Sequence, residues 1–459
     1  MLIGFSVSNF KSFNDNQTIS FLSTKIARHK EHIFQIEDKK ILKSGLIFGA
    51  NASGKSNLIK AIAFSRKLIL LGIDKVDLTK KNFRISTDSY KNPAVFEYRL
   101  MIDDTEYSYG VVVSYCKKEV LAEWLVKIKS DGSEEVIFNR EVDKNDRSNV
   151  SSDKVYDTQE ENKRIEVYLE DFSENISDAF RKKTILSDIA ERVNDQQNFF
   201  IEIRKVYEWF KNMTIIFPSS KYNGINDIIS NDKKKNFFTT LLSYFDTGIQ
   251  GVEGREKIFD FDKILNSVPE EVAEKVKVDI SNKVEKHPIM MKVGEQIVLL
   301  KKDKNGDIKY NKLQLNHGNN DDLFEYMDES DGTRRLFDLI PLLYTNKKRS
   351  VIFIDEIDRS LHTNLTKKFM QLFYNLTKNT SSQLIVTTHD SNLLDLDLVR
   401  QDEIWFVERQ QDHSSKIYSL NKFKERFDKK IDKEYLIGRY GAIPFFNESF
   451  LGIGENFDE

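Results

Sequence analysis

The sequence predicts an α/β fold, and three observations carry that prediction. Leu46-Ile47-Phe48, Val351-Ile352-Phe353-Ile354 and Leu384-Ile385-Val386 are unbroken apolar runs, the pattern of strands covered on both faces. The first run leads through a glycine-bearing loop into Asn57 to Leu71, where Leu58, Ile59, Ala61, Ile62, Leu68 and Ile69 recur at near-helical spacing. The runs lead into Gly49, Asp355-Glu356 and His389, and folding must join the first two across about 300 residues.

In chain order, residues 1–75 hold two early strands, the loop and its helix. Residues 93–140 alternate apolar and polar, through Val95, Phe96, Tyr98 and Leu100, then Tyr107 to Tyr115, then Trp124 to Ile128. That reads as an antiparallel meander with a turn at Asp131-Gly132. Residues 141–165 are charged and poor in large apolar side chains, and read as a mobile loop. Residues 166–290 read as mainly helical, including Thr184 to Val193 and Phe199 to Lys211, with breaks at Pro218 and Gly248 to Gly254. Sustained heptads are missing there, so a compact lobe is expected and not a long coiled coil. Lys292 to Leu315 reads as a hairpin turning at Asn305-Gly306. A helix covers Arg335 to Tyr344, and Ile404-Trp405-Phe406-Val407 and Ile417-Tyr418-Ser419-Leu420 are two more strands. The implied divisions are 1–140, 141–290 and 291–459.

The loop Gly49-Ala50-Asn51-Ala52-Ser53-Gly54-Lys55-Ser56 satisfies G-x-x-x-x-G-K-[ST] between a strand and a helix. Glycines let backbone N–H groups wrap phosphates, and the helix N-terminus adds partial positive charge. Lys55 would reach the β- and γ-phosphates of ATP, and the Ser56 hydroxyl would hold Mg2+. Gly49, Asn51, Ala52, Ser53, Gly54 and Asn57 complete the cradle. Asp355, at the carboxyl end of its strand, would be the second Mg2+ group, and Glu356 the general base for an attacking water. Without the loop, those acids would read as an ordinary strand end. Ser330-Asp331-Gly332-Thr333-Arg334 opens a helix, so Ser330 and Gly332 could present donors at its N-terminus; alone this is a plain cap. His389 at a strand tip could hydrogen-bond the γ-phosphate, though alone it is an ordinary strand-end residue.

This order of cradle, long insert, serine-glycine turn, Asp-Glu strand and strand-histidine resembles ABC-type ATPases. It is closer to the RecF, SMC and OLD-like branch of AAA-annotated ATP-binding proteins. Phe5 to Phe13 is similar to that branch's first strand and turn. Tyr435 to Pro444 resembles the tail of stand-alone bacterial ATPases of anti-phage defence and abortive infection, the AbiL-like and PARIS-like group. The resemblance covers residues 1–140 and 290–445 by motif. It implies an ABC-type P-loop ATPase head with an antiparallel β subdomain and a mainly helical insert. It also implies an active dimer, with ATP between the loop of one subunit and Ser330 and Gly332 of the other. Asp331, Thr333 and His362 depart from transporter-type motifs. The lobe glutamine of the family stays unassigned among Gln159, Gln196 and Gln197.

Composition excludes some classes. The net charge of −3 gives no global basic field for nucleic acid. Lys233-Lys234-Lys235 and Lys347-Lys348-Arg349 read as solvated loop runs. A single cysteine, Cys116, excludes an internal disulfide, reads as an inert strand residue and fits a reducing, cytoplasmic setting. No leader or membrane span is expected. His29 and His32 have no second ligand pair nearby and read as an exposed polar turn. The acids of Asp428 to Glu434 alternate with lysines as a solvated helix face. About 70 residues follow His389, too few for an OLD-type nuclease domain by that resemblance. The expectation is therefore an ATPase switch in defence, forming a homodimer or higher homo-oligomer and acting on a separate nuclease or toxin encoded nearby. The alternatives are a RecF-like DNA-repair clamp and a transporter subunit.

Overall fold

The computed structural model describes residues 1–173, 177–193, 199–219, 231–261, 270–286, 289–293, 296–303, 305–344, 351–423, 425–426 and 429–444. The chain divides into two compact units. The first comprises Met1–Pro218, Lys347–Asp358 and Thr377–Glu459, the second Ser219–Asn346 and Arg359–Leu376. This corrects the expected 141–290 lobe: its residues up to Pro218 belong to the first unit, because their helices and a strand pack onto that unit's core.

The strands of the first unit are β1 Leu2–Ser8, β2 Gln17–Ser20, β3 Ile33–Ile36, β4 Lys39–Leu42, β5 Ser44–Phe48, β6 Ala94–Ile102, β7 Thr105–Ser114, β8 Glu119–Ile128, β9 Glu134–Val142, β10 Ser148–Ser151 and β11 Thr214–Ile216. Those of the second are β12 Gly251–Ile258, β13 Ile289–Val293, β14 Gln296–Lys302, β15 Ile308–Asn316 and β16 Phe324–Glu325. The chain then adds β17 Val351–Ile354, β18 Gln383–Thr387, β19 Ile404–Arg409 and β20 Ser415–Ser419 to the first unit.

Two sheets dominate the first unit. One runs β11-β17-β18-β5-β19-β20, parallel except for β20. Its three central strands are buried at every residue, as their apolar runs require. The other is antiparallel, β10-β9-β8-β7-β6-β1-β2, and contains the expected meander with Gly132 in a left-handed turn. Between strand and strand runs α1, Lys55–Leu71, which buries Leu58, Ile59, Ala61, Ile62, Leu68 and Ile69 and stops at Gly72 in the left-handed region. Gln383, first residue of β18, ties the layers together. Its Oε1 accepts from Leu2 N at 2.7 Å, and its Nε2 donates to Leu2 O and Leu42 O at 2.9 and 2.8 Å. Glu123 of β8 is fully buried and caps the helix Ile185–Arg192 through Ile185 N and Leu186 N. Burial pushes its carboxyl up to about 7, against these donors.

Residues 141–165 are not a loop. Asp143 Oδ1 accepts from Asn145 N and Arg147 N, closing a turn that pairs β10 with β9. Thr158 then caps the helix Gln159–Glu170 by accepting from Glu161 N at 3.1 Å. Gln159 thus opens a helix, while Gln196 and Gln197 lie outside the described residues. Cys116 is exposed in the turn after β7, not on a strand, and Lys347 to Arg349 and Asp428 lie outside the described residues.

In the second unit β12, β15, β14 and β13 form an antiparallel sheet with β16 beside β15. Gly251, read as part of a break, instead starts β12, whose whole length pairs with β15. The hairpin turns at Gly306, and Lys292 belongs to β13. Phe238, in the helix Asp232–Tyr244, meets Phe337 of the helix Asp331–Leu343 edge-on at 5.0 Å.

Replacing Gln383 with Ala should leave three buried backbone groups unpartnered and cost about 2–3 kcal/mol. The midpoint of denaturant unfolding, followed by circular dichroism, measures this.

Candidate active site

Three neighbouring parallel strands, β17, β18 and β5, end side by side at their carboxyl edge. The register pairs Ile354 with Val386 and Thr387 with Ile47, which sets Asp355, Thr388-His389 and Gly49 at one edge.

The loop after β5 is held from below by backbone and hydroxyl contacts. Ser415 Oγ donates to Ser53 O at 2.5 Å, Ser415 N donates to Ser12 O, and Asn57 Nδ2 donates to Ser12 Oγ at 2.8 Å. Gly54 adopts φ +114°, and a Cβ there would collide with Ser415 Oγ and lie 2.8 Å from Ser12 Oγ. Ser53 Oγ is buried with no hydrogen-bond partner among the described residues. Asn51 and Ala52 are exposed at the loop's crest, Ala52 in the left-handed region.

Lys55 is buried, and its Nζ donates to Gly49 O at 2.7 Å and Ala50 O at 3.0 Å. Burial pushes its ammonium down to about 8, opposed by Asp355, Asp358 and Glu356. His389 Nδ1 lies 3.4 Å from Lys55 Nζ. Burial, then the Lys55 charge, lowers the His389 imidazole below its ordinary value. The neutral ring therefore accepts at Nδ1 and carries its proton on Nε2.

Asp355 is the hub. It is 2% exposed. Its Oδ1 accepts from Ser56 Oγ at 3.0 Å and from Thr387 Oγ1 at 2.6 Å. Thr387 Oγ1 in turn accepts from Glu356 N at 2.8 Å. Glu356 sits at φ +52°, an uncommon left-handed turn for a non-glycine residue. One hydroxyl thus holds the Asp355 carboxylate and the Glu356 backbone. In the sequence Thr387 is only part of a strand; its role depends on register.

A cleft of about 430 Å³ adjoins the loop, lined by Lys11, Ser12, Asn57, Lys80, Phe83, Arg84, Arg409 and His413 among others. The sequence marks none of Lys80, Phe83, Arg84, Arg409 or His413, because they come from two separate segments outside its motifs. The donor set fits the expected ligands. Hydroxyl and carboxylate oxygens at Ser56 and Asp355 are hard donors suited to Mg2+. The glycine loop, the partnerless Ser53 hydroxyl and the Lys55 ammonium suit phosphate.

Ser330 and Gly332 belong to the second unit. Ser330 caps the helix Asp331–Leu343, its Oγ accepting from Thr333 N at 3.1 Å. Gly332 sits close to the backbone of its neighbour, where a Cβ would lie 2.9 Å from Ser360 O. His362 Nδ1 accepts from Asn364 N at 3.2 Å, at the start of the helix Thr363–Leu376.

A protein-family model described as "AAA domain, putative AbiEii toxin, Type IV TA system" matches residues 46–150 and 142–395. No curated protein matches. Among solved structures, the SMC head domain from Thermotoga maritima is 14% identical, covering 91% of this chain and 98% of that one at a TM-score of 0.38. An SMC head bound to the C-winged helix domain of ScpA is 15% identical, covering 92% and 99% at 0.42. An Smc head with an extended coiled coil, bound to the C-terminal domain of ScpA derived from Pyrococcus furiosus, is 16% identical, covering 95% and 99% at 0.39. No helix among the described residues is long and apolar enough to cross a membrane.

Phosphate beside Lys55 would favour its charged form, so nucleotide binding should take up protons near pH 8. Affinity should weaken as pH rises through about 8, approaching tenfold per unit. Calorimetry in buffers of different ionisation enthalpy reads the uptake, and Lys55→Arg should flatten the profile.

Proposed function

We propose, from the premise that this chain belongs to the AAA-domain family matched above, that it is an ATP-binding and hydrolysing switch. In this reading it dimerises around ATP and controls a separate effector in bacterial anti-phage defence. The observation that carries the nucleotide reading is the Asp355 carboxylate, shared by Ser56 of the loop and Thr387 of the neighbouring strand.

The loop backbone from Gly49 to Gly54 cradles the phosphates, with Asn51, Ala52, Ser53 and Asn57 around it. Lys55 moves its ammonium from the Gly49 and Ala50 carbonyls to the β- and γ-phosphates. Ser56 and Asp355 hold Mg2+, which when bound neutralises charge on the phosphates. Glu356, whose backbone N–H is held by Thr387, takes the proton of the attacking water. His389 offers Nε2–H to the γ-phosphate and feels its loss. The adjoining cleft, with Phe83 beside Lys11, Arg84 and Arg409, has the apolar and cationic lining a base and ribose need.

Ser330 and Gly332 present a helix N-terminus suited to the γ-phosphate of a partner chain. ATP closes the dimer and hydrolysis reopens it. That closure holds or releases a nuclease or toxin encoded beside this gene. The family's description, which names a toxin of a toxin–antitoxin system, supports the defence setting, as does the resemblance of residues 435–444.

Lys55→Ala should abolish ATP binding. Glu356→Gln should bind ATP, lose turnover by about 10²–10⁴-fold and accumulate a dimer in size-exclusion light scattering. Normal turnover in that variant would remove Glu356 as the base. Thr387→Val keeps the shape but removes one of the two hydrogen bonds to Asp355 and the acceptor of Glu356 N, and should lower kcat about 10- to 100-fold, equivalent to about 1.4–2.8 kcal/mol. For the effector, tagged Glu356→Gln is recovered from its native host in ATP with nuclease treatment. A co-purifying nuclease or toxin encoded next to this gene supports the switch. DNA or repair factors lost on nuclease treatment point to the RecF-like clamp.

A further inference from the structure

We propose that His29, Glu31 and His32 form a binding site for a divalent transition metal of the zinc type, independent of the nucleotide site. The short segment before β3 reads in the sequence as an exposed polar turn. His32, however, is only 3% exposed, whereas the side chain of Glu31 is 43% exposed. One donor atom from each of the three residues lies within 4.8 Å of the other two. Glu31 Oε1 is 3.4 Å from His29 Nδ1 and 3.8 Å from His32 Nε2. Around zinc, with bonds of about 2.0–2.1 Å, tetrahedral ligands stand about 3.4 Å apart. The two distances to Glu31 Oε1 are within a few tenths of an ångström of that spacing, and the two ring nitrogens lie within 4.8 Å of each other.

The partners of the other ring nitrogens supply the second argument. His29 Nε2 lies 2.9 Å from Leu396 O, and a carbonyl can only accept. That nitrogen carries the hydrogen, so in the neutral ring the Nδ1 lone pair faces Glu31. His32 Nδ1 lies 3.0 Å from Glu403 Oε2. The Glu403 carboxylate is itself anchored by Ser44 Oγ at 2.7 Å and Arg400 N at 2.8 Å. It fixes the His32 hydrogen on Nδ1 and directs Nε2 toward Glu31. Nδ1 of His29 and Nε2 of His32 thus face one carboxylate oxygen, an arrangement that a bound cation stabilises. A carbonyl and a carboxylate behind the rings are the outer partners that orient metal-bound histidines. The two rings lie face to face, with centroids 4.9 Å apart at 26°.

The ligand set is borderline, two imidazoles and one carboxylate. It favours zinc-type ions over Mg2+, and the exposed Glu31 side leaves a fourth position for water. The outer partners, Leu396 and Glu403, lie on the segment between His389 and β19. A bound ion would therefore fasten the chain before β3 to that segment.

The test uses the full chain with any affinity tag removed, stripped with a chelator and titrated with Zn2+ in excess Mg2+. One equivalent should bind, and Co2+ should give the visible d–d bands of a four- or five-coordinate site. His29→Ala and Glu31→Gln should each weaken Zn2+ binding about tenfold or more with far-UV circular dichroism unchanged. His32→Ala removes a buried ring, so those two variants carry the test. Absence of a saturable equivalent, or Zn2+ affinity unchanged in both variants, overturns the proposal.

Discussion

The organisation of the first unit converges on one buried carboxylate. Asp355 is almost without solvent, and a buried acid is tolerated only when it is hydrogen-bonded. Its donors come from Ser56 at the start of α1 and Thr387 at the end of β18. The Asp355 interaction therefore requires β17, β18 and β5 in their observed order and register. A shift of one residue in β18 would turn Thr387 to the other face and remove the hydroxyl shared by the Asp355 carboxylate and the Glu356 backbone.

The remainder of the unit keeps that edge in place. Gln383 anchors the opposite end of β18 to β1 and β4. From β20 and the first turn, Ser415 and Ser12 brace the loop. The loop glycines are steric requirements here, since a side chain at Gly54 would displace both braces. The price of this rigidity is a Lys55 ammonium shifted by burial and a Glu356 turn in a sparse backbone region. Such features are stored where charge on an incoming ligand can use them.

Parts of residues 141–165 carry local signatures of their structure. Thr158 with Glu161 three residues on is a helix-start pattern, and Asp143 two residues before Asn145 is a turn pattern. Both were hidden by the high charge of residues 141–165, which mimics a loop although Ile165 and Leu169 still bury one helix face. Other features had no local signature. His32 looked like part of a polar turn because its burial depends on Glu403, 371 positions away. Arg409 and His413 reach the cleft only because β19 lies beside β5.

By itself, the sequence determined the strand–loop–helix around Lys55, the acids closing β17, the histidine after β18 and the meander. Each is set by local rules: unbroken apolar runs, glycine at forbidden dihedrals, and alternation with period two. Tertiary structure alone decided which unit residues 141–218 join, that Thr387 serves both acids, and that His29 and His32 turn their rings to one carboxylate. Those outcomes depend on strand order and on hydrogen bonds between distant segments, which local spacing does not encode.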